Sequence, residues 1–240
     1  WCSSLTDSSS RGKPDNQSVD ISTRLAGLNE ILEVTTKPII FDADNGGRIE
    51  HLPYTVKSLE RVGVSAIIIE DKVGLKMNSL FQNQKGAAQD DVKNFCKKIQ
   101  AACKAKVSED FMVVARIESF ILGKSLKDAL NRANEYSKHG ADAILIHSKD
   151  KHPKDIFKFA KEFKKSKFFK PLIAVPSTYS TTTEAELIKN GFKIVIYANH
   201  MLRAAYPAMV EAAKKILEYK RTSPIEKNLT SIKEILTLIN

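Results

Sequence analysis

The sequence predicts an α/β chain folded as a (β/α)8 TIM-type barrel, on three observations. Short apolar runs alternate with segments of helical period along the 240 residues. Each run is continuously apolar, the pattern of parallel strands buried on both faces. The polar residues suited to chemistry fall just after the runs, at the carboxyl ends of the strands, which is the active-site face of such a barrel. A doubly wound open sheet is the competing class, but no glycine-rich phosphate loop follows any run. Gly123-Lys124-Ser125 is no Walker motif, because Glu118 stands where its first glycine belongs. Six runs do not complete eight strands. The expectation is therefore a barrel whose first strand, first helix and most of its second strand lie outside this chain, which starts at Trp1 with no leader or initiating Met.

In order, Asp7 to Ser18 is rich in Ser, Gly, Pro, Asp and Asn and reads as a loop. Asp20 to Val34 reads as a helix with Ile21, Leu25, Leu28, Ile31 and Leu32 on its apolar face. Pro38 to Asn78 holds the central unit. Pro38-Ile-Ile-Phe ends in Asp42 and Asp44, a helix with Leu52, Val56, Leu59 and Val62 follows to Gly63, and Ile67-Ile-Ile ends in Glu70 and Asp71. That is a βαβ unit, so both acid clusters emerge at one edge. Asp71 to Gln89 is a long polar loop with Lys76, Asn78 and Ser79, of the length usual for a lid. Helix and strand then alternate. Asp90 to Lys106 is a helix and Phe111 to Ala115 a strand ending in Arg116 and Glu118. A helix capped at Ser125 runs to Gly140, and the strand Ala143 to Ile146 ends in His147 and Ser148. Pro153 to Ser166 is a helix, Leu172 to Val175 a strand and Thr183 to Asn190 a helix. Ile194 to Tyr197 is the last strand, with a long helix to Tyr219 behind Asn199 and His200. Beyond Pro224, Ile232 to Ile239 reads as one more amphipathic helix. The expected division is a barrel over 1–223 and a C-terminal helix over 224–240 that packs on a neighbouring subunit.

Carboxylates gathered from two strands repel one another, and a hard cation with oxygen ligands, Mg²⁺ or Mn²⁺, is the usual reason to gather them. The plainer alternative is that each acid caps the helix after its strand. Arg116 has an equally plain partner in Glu118, and His147 has an ordinary reading as a strand-end core histidine. Lys76 and Asn78 could be simple polar loop residues, and an Asx-turn would account for Asp15. The net charge of +10 is spread over lysine runs such as Lys161 to Lys170, without the interleaved aromatics of nucleic-acid binders. It suits an anionic small-molecule substrate better than a nucleic acid. No apolar run approaches the ~20 residues that span a bilayer. Cys2, Cys96 and Cys103 have no metal spacing and fit a reducing cytoplasm.

The motifs Asp42-Ala-Asp-Asn-Gly-Gly, Ile69-Glu-Asp-Lys, Leu75-Lys-Met-Asn-Ser-Leu, Ala115-Arg-Ile-Glu-Ser and Ala141-Asp-Ala-Ile-Leu-Ile-His-Ser occur in one order. With Trp1-Cys-Ser-Ser-Leu and Tyr197-Ala-Asn-His, they resemble the phosphoenolpyruvate phosphomutase family of the isocitrate lyase superfamily across essentially the whole chain. The resemblance implies Mg²⁺-dependent interconversion of phosphoenolpyruvate and phosphonopyruvate, in homodimers or homotetramers that exchange a C-terminal helix. It implies that Asp42 is the direct metal ligand, and that Asp44, Glu70 and Asp15 hold the metal's water shell. Backbone N–H groups of Ser4 and Leu5, with Ser3 and Arg116, would take the pyruvyl carboxylate. Arg116 and His147 would take the phosphoryl group, and Lys76 and Asn78 would arrive on the closing lid. Asn45 and Gly47 replace a Thr and a Tyr often seen in the family, and Ser4 stands where Gly is common. Phosphonopyruvate hydrolase is the competing activity. A carbon–carbon lyase would need a cysteine between Asp71 and Gln89, where there is none. A non-catalytic barrel used as a scaffold is the reading from outside enzymology.

Overall fold

The computed structural model describes residues 1–81 and 84–238. In chain order the elements are α1 (Ser4–Ser10), α2 (Ile21–Glu33), β1 (Ile40–Asp42), α3 (Leu52–Arg61), β2 (Ala66–Glu70), β3 (Lys72–Val73), β4 (Ala88–Gln89) and α4 (Val92–Ala105). They continue as β5 (Met112–Ile117), α5 (Leu126–Lys138), β6 (Ala143–Ile146), α6 (Lys154–Phe163), β7 (Leu172–Ala174), α7 (Glu184–Lys189), β8 (Phe192–Val195), α8 (His200–Tyr219) and α9 (Ile232–Leu236). Six strands form one sheet in the order β1-β2-β5-β6-β7-β8, and every pairing is parallel. Parallel order with a helix in each crossover makes this a curled, partial (β/α) barrel.

The sheet is buried on both faces, as its unbroken apolar runs require. Ile67, Ile69, Val113, Ala115, Ile144 and Ile146 face the surrounding helices. Ile68, Val114, Ala143, Leu145 and Ile173 face inward, with Trp1 and Ile40 packed on them. Cys2 bridges Phe41 in parallel, so the residues before α1 lie along β1.

Local chemistry sets the ends of the elements. Asp20 accepts from the Thr23 N–H (3.0 Å) at the start of α2, and Ser125 from that of Asp128 (3.2 Å) at the start of α5. Gly46 turns the chain after β1 at φ +76°, where an added Cβ would lie 3.0 Å from Ile69 Cγ2.

Two segments read as loops carry regular structure, and the first is Asp7 to Ser18, whose start lies in α1 because Ser3 caps that helix. The second is the lid, since β3 and β4 pair antiparallel at its two stems. By its contacts the chain divides into two compact units, Trp1–Ala198 and Asn199–Asn240. In that second unit none of the twenty residues of α8 is buried. The predicted end of the last helix, Ile239, lies outside the described residues, and within them α9 closes at Leu236. Among the described residues, no helix is long and apolar enough to cross a membrane.

Candidate active site

Alternation along the strands decides which side chains enter the barrel. Ile68 faces inward, so Glu70 two residues on continues that series. Val114 does the same for Arg116, Leu145 for His147 and Ile40 for Asp42. Glu118, beyond the helix-facing Ile117, falls on the inward side too. Register then sets Glu70 beside Arg116. The Glu70 N–H donates to the Asp44 carbonyl (2.8 Å), with Asp44 in the left-handed region at φ +52°. A non-glycine residue there is strained, and its surroundings must hold it in place.

Cations interleave with these acids. Arg116 Nε donates to Glu118 Oε1 (2.6 Å), and its Nη2 donates to Ser79 Oγ (2.8 Å) and lies 3.3 Å from Glu70 Oε2. The Glu118 partner anticipated as the plain alternative is thus present, but the same guanidinium also reaches Glu70 and the lid. His147 Nδ1 lies 2.9 Å from Arg116 Nη2 and 3.0 Å from Glu118 Oε1. From the lid, the Lys76 ammonium contacts Ser4 Oγ and Asp44 Oδ1. It lies 3.0 Å from Asp15 Oδ1 and 3.7 Å from Asp42 Oδ2. Asn78 Nδ2 donates to Asp15 Oδ2 (2.9 Å). Asp15, Asp42, Asp44, Lys76 and Asn78 therefore meet, although up to 63 residues separate them.

The N-terminal segment is arranged partly otherwise than expected. Ser3 caps α1 by accepting from the Thr6 N–H (3.5 Å). Ser4 turns both its N–H (3.4 Å) and its hydroxyl (2.9 Å) to Asp42 Oδ2, so its N–H already has an acceptor. Leu5 lies in the first turn, where N–H groups lack intrahelical acceptors.

Arg24 and Lys72 have large roles that were not singled out from the sequence, and Asp71, read there only as a member of the strand-end acid cluster, has another. Arg24 is buried on α2, on the face read as wholly apolar. Its Nη1 donates to the Asp42 carbonyl (2.7 Å) and lies 3.5 Å from Asp44 Oδ2, and its Nε donates to Asp7 Oδ2 (2.9 Å). A cation at a core-facing helical position was the available signal. Asp71, fully buried, accepts from the Glu118 N–H (2.9 Å), Tyr136 Oη (2.8 Å), Gln89 Nε2 (2.8 Å) and Arg132 Nη1 (3.2 Å). Its own carbonyl accepts from the Asp90 N–H (2.8 Å), so one residue joins both stems of the lid. Lys72 is buried at the first stem.

The charges divide the acids into two kinds. Burial works against ionised Asp42, but Lys76, Arg116 and Arg24 outweigh it and hold this carboxyl far below its ordinary range. Burial likewise opposes ionised Glu118 and is overcome by Arg116, His147 and Lys72. Asp44 is raised by burial and by Asp42, and Glu70 is pushed up to about 7 by burial despite Arg116. His147 is lowered by burial and by Arg116, against the opposing pull of Glu118.

The donor set fits a hard divalent cation. Buried Asp15 Oδ1, Asp44 Oδ1 and Glu70 Oε1 accept no aligned hydrogen bond, and the Lys76 ammonium stands among the first two acids and Asp42 as a cation would. Among the described residues, however, no three His, Cys, Asp or Glu side chains converge as joint ligands. Direct coordination by Asp42, Asp44 and Glu70 together is thus not what the geometry offers, because cations separate these carboxylates. One direct ligand with the other acids acting through water is compatible with it.

A parallel β/α barrel that gathers carboxylates and buried cations at the carboxyl ends of its strands is the frame of a barrel enzyme. The chain belongs to the phosphoenolpyruvate phosphomutase family, whose model matches residues 1–217. It is 36% identical over 239 residues to the phosphoenolpyruvate phosphomutase of Tetrahymena pyriformis, covering 99% of this chain and 78% of that protein. It is also 36% identical over 240 residues to the phosphonopyruvate hydrolase of Variovorax sp. (strain Pal2), covering 99% and 81%. Among solved structures, a phosphoenolpyruvate phosphomutase from Streptomyces platensis subsp. rosaceus superposes with a TM-score of 0.91 at 35% identity, covering 98% and 80%. A phosphonopyruvate hydrolase in complex with oxalate and Mg²⁺ superposes at 0.86 with 34% identity, covering 98% and 80%.

Proposed function

We propose that this chain is a phosphoenolpyruvate mutase, moving a phosphoryl group between the methylene carbon of phosphonopyruvate and the enol oxygen of phosphoenolpyruvate. The observation that carries this reading is the meeting of lid residues Lys76 and Asn78 with Asp15, Asp42 and Asp44 beside Arg116 and His147. An intramolecular transfer needs its phosphoryl group kept from water, and a lid seated on the reacting site does that. Asp42 would hold Mg²⁺ directly, with Asp44, Glu70 and Asp15 around its water shell. Bound there, the ion would supply charge neutralisation for the enolate and carboxylate oxygens.

The chain's own residues do the rest. Arg116 and His147 hold the phosphoryl oxygens while charge spreads over them in a loose transition state. Arg116, Ser3 and the first turn of α1 at Leu5 bind and orient the pyruvyl carboxylate. Lys76 and Asn78 close the site and exclude water.

Phosphonopyruvate hydrolase is the second reading, supported by the 36% identity to such an enzyme. The test is ³¹P NMR of the chain with phosphonopyruvate and Mg²⁺. A phosphoenolpyruvate resonance is expected. Inorganic phosphate formed directly with pyruvate would replace this reading by the hydrolase, and an unchanged spectrum would overturn both. We assign the C-terminal segment 224–240 to subunit contacts in a homodimer or homotetramer, which the exposure of Ile232, Leu236 and Leu238 supports.

A further inference from the structure

Lys72 and Ser79 are buried, polar and outside the roles assigned above. Lys72 opens the lid, and its ammonium turns back across the lid's own loop. It donates to the Met77 carbonyl (2.6 Å) and to Ser79 Oγ (2.9 Å), and lies 3.5 Å from Glu118 Oε2 and 3.7 Å from Glu70 Oε1. Ser79 Oγ also accepts from Arg116 Nη2 (2.8 Å) and donates to Glu118 Oε2. A hydroxyl has one donor and two acceptor positions, and all three are used here. Burying a lysine is costly unless its charge is paired and its donors are bonded, and here Glu118 and Glu70 pair the charge while the lid's own Met77 and Ser79 accept from it. The two points that Lys72 grips, the carbonyl of residue 77 and the hydroxyl of residue 79, flank Asn78, and the first follows Lys76 directly. Fixing them fixes where Lys76 and Asn78 enter the site.

We propose that Lys72 and Ser79 form a latch that positions Lys76 and Asn78, and that this latch governs the partition of the phosphoryl group between the enolate and water. The partition rests on the reading of the chain as a mutase. When the carbon–phosphorus bond breaks, its electron pair stays with the carbon fragment as an enolate. Attack by the enolate oxygen on phosphorus gives phosphoenolpyruvate with no other reactant. Attack by water puts the water oxygen on phosphorus, and a water proton goes to the methylene carbon, giving pyruvate and inorganic phosphate. A loosened lid admits the second course.

The test uses the whole chain as Ser79→Ala, Ser79→Thr and Lys72→Met, with two readouts. Amide hydrogen exchange over residues 74–81 without substrate reports the latch itself. The ³¹P NMR product ratio from phosphonopyruvate and Mg²⁺ reports the partition. Removing the hydroxyl is expected to speed lid exchange about tenfold, with β5 exchanging as in the parent chain, because the bonds lost at Arg116 and Glu118 are to their side chains and leave the backbone ladder of β5 intact. The share of inorganic phosphate should rise in parallel. Lys72→Met should do the same, and Ser79→Thr, which keeps a hydroxyl, should stay within about twofold of the parent on both readouts. Unchanged lid exchange in Ser79→Ala overturns the latch, and so does faster exchange with an unaltered product ratio. Faster exchange spread equally through β5 would reduce Ser79 to an ordinary stability residue and also overturn it. A parent chain that forms no phosphoenolpyruvate would remove the mutase reading, while the exchange comparison would still decide the latch.

Discussion

Replacing Arg24 by Met tests whether one buried cation holds the N-terminal segment and the strand-end acids together. Met keeps an apolar stem and removes every donor. Asp7 then loses its partner at 2.9 Å, Asp44 its cation at 3.5 Å, and the Asp42 carbonyl a donor at 2.7 Å. Breaking a fully buried pair costs ~3–5 kcal/mol. Here the Arg24 side chain is 3% exposed, but those of Asp7 and Asp44 are 18% and 11% exposed, and a cavity of about 170 Å³ adjoins Arg24 and Asp44. Water can partly solvate the orphaned acids, so the lower end, about 3 kcal/mol, is expected. Loss of the guanidinium 4.0 Å above the Phe41 ring lies within that figure. The single tryptophan, Trp1, packs on the inner cluster, so its fluorescence in urea follows unfolding of the first compact unit. Arg24→Lys restores the charge but not the fork and should recover about half the loss. A loss below about 1 kcal/mol in Arg24→Met, or equal losses in the Lys and Met variants, would refute the electrostatic argument.

Asp71 predicts a pH effect whose sign can be worked out. Its carboxyl is pushed up to about 6 in the folded chain, chiefly by burial, against an ordinary value of 3.8. A raised acid favours folding while protonated, so this contribution is complete below pH ~4 and is lost as the pH rises through ~6. Relative to Asp71→Asn, the parent should therefore lose up to about 3 kcal/mol of stability between pH 4 and 7, read as the pH dependence of the difference in urea midpoints. A flat difference would show that the Arg132 charge cancels burial, and one of opposite slope that it outweighs burial. Asp42→Asn should weaken Mn²⁺ binding at least about tenfold, followed by electron paramagnetic resonance without substrate. Equal affinity would remove Asp42 as the direct ligand. Gly46→Ala should cost about 1–2 kcal/mol for its left-handed backbone, with more for the 3.0 Å approach to Ile69, measured by the same urea titration. A neutral outcome would mean that the turn after β1 relaxes without penalty.

What the sequence makes legible and what it hides follow from the range of the interactions. Continuous apolar runs record burial on both faces of a strand, so β2, β5 and β6 can be read one at a time. Acids placed directly after a run, such as Asp42 and Glu70, are visible because position alone carries them to the strand end. Arg24 is hidden because its meaning depends on Asp7, Asp42 and Asp44, which reach it only once α2 has packed. Lys72 is hidden for a related reason, since a polar residue at the start of a polar loop gives no sign that its ammonium turns inward. The two-residue ladder of β3 and β4 leaves no periodicity at all. Yet one rule already in the sequence would have enlarged the site. If residues 40, 68, 114 and 145 face inward, then alternation sends Asp42, Glu70, Arg116 and His147 the same way, and Glu118 with them. An acid on that parity between Arg116 and His147 is more than a local partner for the arginine. It is held ionised by both of them and by Lys72, and it receives the lid through Ser79. Glu118 is therefore the point at which the strand-end charges and the closed lid depend on each other, so changes at the latch should be felt at Arg116 and His147 without any contact with substrate.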